Sequence, residues 1–302
     1  MPPNRAYPAH FDALLERARA QHQEERLDEA IATFQEAERL AEEACDRQRA
    51  DRAFVNRCTS VLARHRRLKF ADVQRLREVL MAGENPVVSR LAAYNVARAF
   101  ECAKEYRKGL FYARIALDRS RILESRDWLA SSHNQIGNFL LAEGRFQEAL
   151  DEYGRALELL PKEPSRRLAL ILTNLGYARV VLGRDGGLAL LYRSLKMLRA
   201  LEAQREQIFP HLDLCYALLE AGRPRYALRH GALALALAEQ GGEDSAVKYA
   251  LFLVGEAAQE IGDPLRARAL FERLQEEYFP EMSNLADVLL TVDVRKLVNL
   301  KA

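Results

Sequence analysis

The feature that most constrains the fold of this chain is a small residue that returns every 39 or 40 positions along its 302 residues. The residues in this small-residue slot are Ala18, Cys58, Ala97, Gly137, Gly176, Cys215 and Gly255. Around them, apolar residues recur at the three- and four-residue spacing of an α-helix. Two helices approach closely only where a side chain is small, so the period predicts seven helical hairpins. Because no single hairpin buries its apolar face alone, neighbouring hairpins must stack.

The clearest copy of the repeated unit runs from His133 to Pro161. Its Gly137 is followed at fixed distances by Leu140, Gly144, Ala149, Tyr153, Ala156 and Pro161. This spacing resembles the tetratricopeptide repeat, and related spacings recur along nearly the whole chain. The resemblance implies an all-α fold, a right-handed superhelical solenoid of helical hairpins with a C-terminal capping helix.

Two further positions of the unit have a predicted packing role. A left-handed backbone at the hairpin turn is expected seven residues after the small residue, at Gly144, Gly183, Gly222 and Gly262. Aromatic side chains that fill the space between hairpins are expected sixteen residues after it, at Phe34, Tyr153, Tyr192 and Phe271. On the fifth hairpin, Leu188 is expected to face Gly176.

Both ends of the chain depart from the repeat. Three prolines among the first eight residues predict a flexible lead-in over 1–9. The seven-repeat array then covers 10–279, with an irregular second repeat at about 47–85, where the turn reads RHRRLK. Residues 280–302 are predicted to form a capping helix and tail. The alternative for this segment is a docking helix for a partner or for a second subunit, which would make a homo-oligomer.

Charge is nearly balanced overall but unevenly distributed. Lys and Arg number 45 and Asp and Glu 43, so the net charge of +2 gives no global field that would recruit nucleic acid or an anionic membrane. Residues 47–126 carry 19 basic and 8 acidic side chains, and we call this stretch the basic belt. It is interpreted either as a solvated surface, neutralised in part by the acidic first repeat, or as a binding surface for an acidic partner segment.

The sequence predicts neither an enzyme nor a cofactor or metal site. Its six histidines stand apart from one another, without the His-Glu-x-x-His spacing or cysteine pairs of zinc sites. Cys102 near Arg98 is the thiol most open to a reactive role, and a packed thiol is the alternative. The four scattered cysteines, the absence of a leader-like start and the absence of a long apolar segment predict a cytoplasmic protein.

In proteins of the family it resembles, ligands lie in a concave groove lined by the first helix of each hairpin. The slot two residues before the small residue holds Asn56, Asn95, Gln135, Asn174 and Asp213. The slot just after it holds Arg98, Asn138, Tyr177 and Tyr216, and Arg52 and Tyr94 lie beside these slots. An amide can pair with both the C=O and the N–H of an extended peptide. The alternative is that these amides bond to the neighbouring hairpin and the tyrosines fill the seam.

These residues predict a non-catalytic scaffold or adaptor that binds an extended peptide or flexible protein segment in its groove. An acidic part of that segment would lie toward the second and third repeats, against Arg52 and Arg98. The alternative function is a regulatory module that senses a signalling peptide or small metabolite and acts on a separate output protein. Repeats of this length also resemble the sensing domains of bacterial peptide-responsive and sugar-responsive regulators.

Overall fold

The computed structural model describes residues 7–297 and Asn299, and these residues form fifteen α-helices and no β-strand. In chain order, fourteen of the helices form seven consecutive pairs. The pairs are α1 (Tyr7–Gln23) and α2 (Leu27–Glu43), α3 (Arg47–His65) and α4 (Phe70–Ala82), α5 (Pro86–Cys102) and α6 (Tyr106–Ile122), α7 (Arg126–Ala142) and α8 (Phe146–Leu159), α9 (Arg166–Val181) and α10 (Gly187–Ala200), α11 (Ile208–Glu220) and α12 (Pro224–Gly241), and α13 (Asp244–Glu260) and α14 (Pro264–Tyr278). The last helix, α15, spans Leu285–Thr291, and short 3-10 turns occur at Arg205–Gln207 and Arg295–Leu297.

The chain divides into two compact units, Met1–Phe139 and Leu140–Ala302. In unit 1, α1 packs on α2, α2 on α3 and α5 on α6. In unit 2, α9 packs on α10, α11 on α12, α12 on α13 and α13 on α14. The predicted all-α array of helical hairpins is therefore confirmed. No helix among the described residues is long and apolar enough to cross a membrane.

The small-residue slot is buried in all seven repeats, as the period predicted. At Gly255, an ideal Cβ would lie 2.3 Å from Cε1 of Phe271, so the aromatic ring occupies the space that a side chain would fill. Phe271, Phe34 and Tyr153, which share the aromatic slot, are each at most 2% exposed. The small residue of one helix and the large ring of its partner thus form one packing unit.

The left-handed turn is confirmed at all four predicted glycines, whose φ angles lie between 63° and 83°. The first and third repeats place Glu25 (φ 61°) and Lys104 (φ 58°) at the same position. These residues have a Cβ and adopt this conformation only at a cost in strain. The backbone turn is therefore imposed by helix packing, and glycine only makes it easier.

The fifth hairpin differs from the prediction by one residue. An ideal Cβ on Gly176 would lie 2.9 Å from Cγ of Leu191 and 3.0 Å from the carbonyl oxygen of Gly187, so these residues face it and Leu188 does not. Tyr192 is 44% exposed, and Leu191 is buried in the aromatic slot. The reason is the longer turn before α10. Counted from the small residue of its hairpin, α10 begins two residues later than α8 does.

The second repeat differs from the others in its turn and its second helix. The left-handed turn residue is Arg66 (φ 51°), one position later than in the other repeats, and α4 starts only at Phe70. Phe70 is 78% exposed although it stands at the position of the buried Ala30. As a result α4 packs mainly on α5 and scarcely touches α3.

The C-terminal end of the array carries one helix beyond the seven pairs. Helix α15 packs on α14 and buries Ala286 and Leu289, and its Asp287 accepts a hydrogen bond from Arg268 (3.0 Å). The predicted capping helix is thus present. At the other end α1 begins at Tyr7, inside the predicted lead-in, of which residues 1–6 lie outside the described part.

We predict that Gly255→Ala lowers the free energy of unfolding by about 1–3 kcal/mol, because the added methyl group would overlap the Phe271 ring. Chemical denaturation followed by circular dichroism measures the change. The control is Gly154→Ala in α8, whose Cβ would meet nothing within 4 Å. That change should be neutral or stabilise by up to about 1 kcal/mol. Equal destabilisation by both variants would contradict the packing argument.

Candidate functional site

Two of the predicted groove amides are buried between successive first helices. Asn95 on α5 is fully buried, and its Nδ2 donates to the Val55 carbonyl oxygen of α3 (2.8 Å) and to the Thr59 hydroxyl (3.0 Å). Gln135 on α7 is 2% exposed, and its Nε2 donates to the Tyr94 carbonyl oxygen of α5 (3.2 Å). Each amide therefore bonds to the backbone one repeat earlier, as a tie between repeats.

The other predicted polar residues differ in exposure. Asn56 donates to the Arg52 carbonyl oxygen of its own helix (2.7 Å), and Asp213 is only 1% exposed. Asn138 is partly exposed and hydrogen-bonds to the Glu101 side chain. Asn174 is also partly exposed. Among the amides, Asn56, Asn138 and Asn174 keep surface on which a ligand could be bound.

The predicted aromatic contacts lie mostly inside the fold. Tyr177 and Tyr216 are 2% and 7% exposed and pack against each other with ring centroids 5.8 Å apart. Tyr94 is partly buried beneath the Arg90 guanidinium, whose central carbon lies 4.8 Å from the ring centroid. These rings strengthen the seams between first helices, and Tyr177 and Tyr216 leave little surface to a ligand.

Arg52 and Arg98 are partly exposed on the first helices of unit 1. Arg52 lies 3.9 Å from the Asp12 carboxylate, and burial together with the nearby Arg19 lowers the pKa of Arg52. Burial and then the Arg98 charge lower the pKa of His22, which hydrogen-bonds to the Ser60 hydroxyl (2.9 Å). This face therefore carries guanidinium groups that could bind a carboxylate, next to the carboxylates of Asp12, Glu16 and Glu101.

In unit 2, a segment of the chain itself lies on the first helices. We call residues 292–297 and Asn299 the tail segment. It leaves α15 in an extended conformation at Val292 and brings Arg295 onto α11 and α13. The Arg295 Nε lies 2.9 Å from Glu220, and its Nη1 pairs with Glu260 and lies 3.5 Å from Glu256. The Arg295 side chain is only 11% exposed.

The tail segment continues to the end of α7. Asn299 donates from Nδ2 to the carbonyl oxygens of Leu141 (2.9 Å) and Ala142 (3.2 Å). These carbonyls belong to the last turn of α7, where backbone acceptors have no partner within the helix. In unit 2, the first helices thus hold this segment of the chain through side-chain carboxylates and through backbone carbonyls at the end of α7.

Glu256, one of the three carboxylates around Arg295, has a raised pKa. Burial raises its pKa to about 7, and Asp293 and Glu260 add to this effect while Arg295 opposes it. Its side chain is 9% exposed, against 26% for Glu220. The charge of this cluster therefore changes near neutral pH.

The basic belt contains an apolar depression in unit 1. A cavity of about 830 Å³ lies between α4 and the start of α6, with Phe70, Phe100, Phe111 and Tyr112 in its wall. Arg66, Arg67, Arg77, Arg107 and Lys108 also line it. Elsewhere the belt is neutralised by the first repeat, where Arg57 and Arg75 pair with Glu38 (2.8 and 2.6 Å).

The described residues contain no group of three or more His, Cys, Asp or Glu side chains that could bind a metal ion. Burial raises the pKa of the Cys102 thiol, and it raises that of Cys58 and Cys215 to about 12. Thiols in this state are poor nucleophiles at neutral pH. His211 and His230 lie with Nδ1 atoms 2.9 Å apart, and burial lowers the pKa of both rings.

Sequence reasoning missed Glu220, Glu260 and Arg295 as site residues. The two glutamates could have been found from the sequence, because only the last two repeats have an acidic residue five positions after the small residue, near the end of the first helix. The first five repeats place Gln23, Ala63, Cys102, Ala142 and Val181 there, and the last two place Glu220 and Glu260. No comparable pattern marks Arg295, because its role depends on where the chain turns after α15.

Three segments of the chain, residues 11–43, 130–163 and 249–278, match the tetratricopeptide repeat. None of the curated proteins matches the chain by sequence. The fold is similar to the crystal structure of a Rap protein complexed with Competence and Sporulation Factor, at 13% identity and a TM-score of 0.72. That similarity covers 95% of this chain and 79% of the Rap chain.

Two other solved structures have a similar fold. One is the Rap conjugation gene regulator of plasmid pLS20 in complex with the Phr* peptide, at 12% identity and a TM-score of 0.62 over 94% of this chain and 77% of that one. The other is the apo form of the quorum sensor NprR from B. thuringiensis, at 13% identity and a TM-score of 0.59 over 91% and 82%. At such identities the likeness is one of fold.

We predict that Asn95→Ala lowers the free energy of unfolding by about 1–3 kcal/mol, because it removes the buried hydrogen bonds that the Asn95 amide donates to the Val55 carbonyl and to the Thr59 hydroxyl. Thermal and chemical denaturation measure the loss. Asn56→Ala is the control, since Asn56 is partly exposed and bonds only within its own helix, and it should cost less. A smaller loss for Asn95→Ala than for Asn56→Ala would contradict the packing role.

We also predict that the tail segment is attached less firmly at about pH 8 than at about pH 6. The folded pKa of Glu256 is raised, so the stability contributed by its neutral form is present at low pH and is lost as the pH rises through about 7. Burial is the largest cause of this raised pKa and outweighs the attraction of Arg295, so release of the segment, which would hydrate the carboxylate, becomes easier as Glu256 ionises. Amide exchange of residues 292–297, corrected for intrinsic rates, should become faster accordingly.

The matched control for this pH dependence is Glu256→Gln, which removes the titrating group and keeps a side chain of similar size. In that variant the corrected protection of the tail segment should no longer change between about pH 6 and about pH 8. An unchanged pH response in the variant would show that Glu256 is not the group responsible.

Proposed function

We propose that this chain, a tetratricopeptide-repeat protein, is a non-catalytic module that binds an extended peptide or a flexible protein segment on its first helices. The observation that carries the proposal is the tail segment. A face that holds Arg295 between Glu220 and Glu260, and Asn299 on the end of α7, has the chemistry needed to bind a polypeptide from another molecule. The four free thiols are compatible with a cytoplasmic location.

The similar folds support a peptide as the ligand. Two of the solved structures hold such ligands by their titles, namely Competence and Sporulation Factor on a Rap protein and the Phr* peptide on a plasmid-borne Rap regulator. Because the identities are 13% and 12%, the likeness supports the class of ligand and says nothing about its sequence.

The charges of unit 1 favour an acidic segment there. Arg52 and Arg98 are partly exposed on first helices, and Arg19 and His22 lie close to them. A guanidinium binds a carboxylate through two parallel hydrogen bonds, which gives orientation as well as attraction. Asn138, which is partly exposed two helices further along the chain, adds an amide for the peptide backbone.

A regulatory sensor is the second candidate function. It is favoured by the tail segment, because a ligand that replaces this segment would change the position of the C-terminal residues, which an output protein could detect. Small-angle scattering with and without bound peptide separates the candidates. An unchanged radius of gyration supports the adaptor, and compaction supports the sensor.

We predict that short peptides of about twelve residues containing several glutamates bind unit 1, and that Arg52→Glu with Arg98→Glu weakens the binding at least about tenfold by replacing attraction with repulsion. Fluorescence anisotropy of labelled library members, at two salt concentrations, measures the affinities. The control is Arg114→Glu on α6, an exposed arginine on a second helix. Equal losses in the two variants, or no binding by any library member, would refute this part of the proposal.

A further inference from the structure

The three carboxylates around Arg295 exceed what a single guanidinium neutralises. Glu220 and Glu260 stand at equivalent positions of neighbouring repeats, and Glu256 lies one turn before Glu260 on α13. Tyr216 lies one turn before Glu220, close enough for both Glu220 and Arg295 to affect its pKa. We call Glu220, Glu256 and Glu260 the acidic triad. Its geometry surrounds one guanidinium from several sides, which is the arrangement that binds arginine well.

The chain's own segment is an imperfect ligand for the acidic triad. Asp293, two residues before Arg295, brings a further carboxylate close to Glu256 and raises its pKa. The negative charges of Asp293 and Glu256 repel each other, and this repulsion opposes the attachment that Arg295 provides. A segment with an arginine but without the neighbouring aspartate would therefore bind the triad more tightly than the tail segment does.

The rest of the tail segment contributes little apolar contact. Leu297 is 82% exposed and Val292 is 49% exposed. The described contacts that attach the segment are chiefly the Arg295 ion pairs and the Asn299 hydrogen bonds. A segment held by a few polar contacts opens locally far more easily than the helices beneath it.

We infer that the acidic triad is a subsite for an arginine of a partner polypeptide segment, and that Arg295 occupies it as an internal competitor until that partner displaces it. The inference rests on the proposed peptide-binding function. It adds the ligand residue that is recognised, the subsite that binds it, and Arg295 as the occupant of that subsite before the partner binds. The partner is a flexible segment with an arginine and without an acidic residue two positions before it. Its binding is weaker in the intact chain than the bare subsite would allow, because the tail segment must first leave.

The probe for this inference is a labelled synthetic peptide, VNVRKLVNLKA, which has the sequence of residues 292–302 except that asparagine replaces the aspartate, and a matched peptide in which its arginine is alanine. It is titrated into the full chain and into the full chain carrying Arg295→Ala. Emptying the subsite should tighten binding of the arginine peptide at least about tenfold and leave the alanine peptide weak. Adding Glu256→Gln and Glu260→Gln to the Arg295→Ala chain should abolish the gain.

Two further variants test whether affinity for the added peptide falls when the internal Arg295 contact is strengthened and stays unchanged when a contact elsewhere is broken. Asp293→Asn keeps an acceptor for the Arg295 backbone N–H and removes the repulsion of Glu256, so it should strengthen internal occupancy and weaken binding of the added peptide. Arg268→Ala breaks the contact between α14 and Asp287 of α15 without touching the triad, and it should leave peptide affinity as in the unaltered chain. The inference is overturned if Arg295→Ala and Arg268→Ala bind the peptide equally.

A measurement on the unaltered chain keeps the test valid if Arg295→Ala does not fold. Saturating arginine peptide should raise the amide exchange of residues 292–297, and unchanged protection overturns the inference.

Equal release by arginine amide at the same concentration would assign the subsite to a small cation instead of a partner segment. A concentration-dependent dimer of the unaltered chain that loses its association on Arg295→Ala would assign it to the tail of a second copy. In each of these cases the glutamate-peptide titration on unit 1 still tests the proposed function independently.

Discussion

The close approach of two helices at a small residue is the constraint on which this structure depends. Where Gly255 lies against the Phe271 ring, no side chain can be added on the first helix without moving the second. That contact fixes the register of the hairpin, and the register fixes which residues lie on the exposed face of each first helix. Glu25 and Lys104 adopt a strained left-handed backbone conformation at the turn, which preserves this register. The set of residues on the exposed face of each first helix is therefore a consequence of packing inside each hairpin.

The buried amides are a second consequence of the repeat. Asn95 and Gln135 stand in a slot that faces the preceding first helix closely, so their side chains reach backbone carbonyls of that helix before they could reach a ligand. A buried amide without a partner would be costly, which makes the tie between repeats the favoured outcome. The ligand contacts that we propose therefore involve residues farther along the helix, such as Arg98, Asn138 and the glutamates near the helix ends.

Charge divides the chain into two regions with opposite preferences. Unit 1 presents arginines on its first helices and a basic-lined apolar depression beside α4, whereas unit 2 presents the acidic triad. The tail segment supplies the cation that the triad lacks, together with an aspartate that weakens the attachment. Exchange of this segment for a partner segment is the step that we propose, and it would link the architecture to the proposed role.

The sequence alone determined the all-α repeat of helical hairpins, the positions of the four glycine turns and the capping helix, because these follow from helical periodicity and from the few residues that tolerate close contact or positive φ. It did not determine the register of α10, where two extra residues before the helix put Leu191 in place of Tyr192 against Gly176. It also could not separate an amide that ties helices from an amide that faces solvent, since both occupy the same slot. Tertiary structure decided these points and the position of Arg295, because each depends on distances between residues tens of positions apart, which periodicity does not encode.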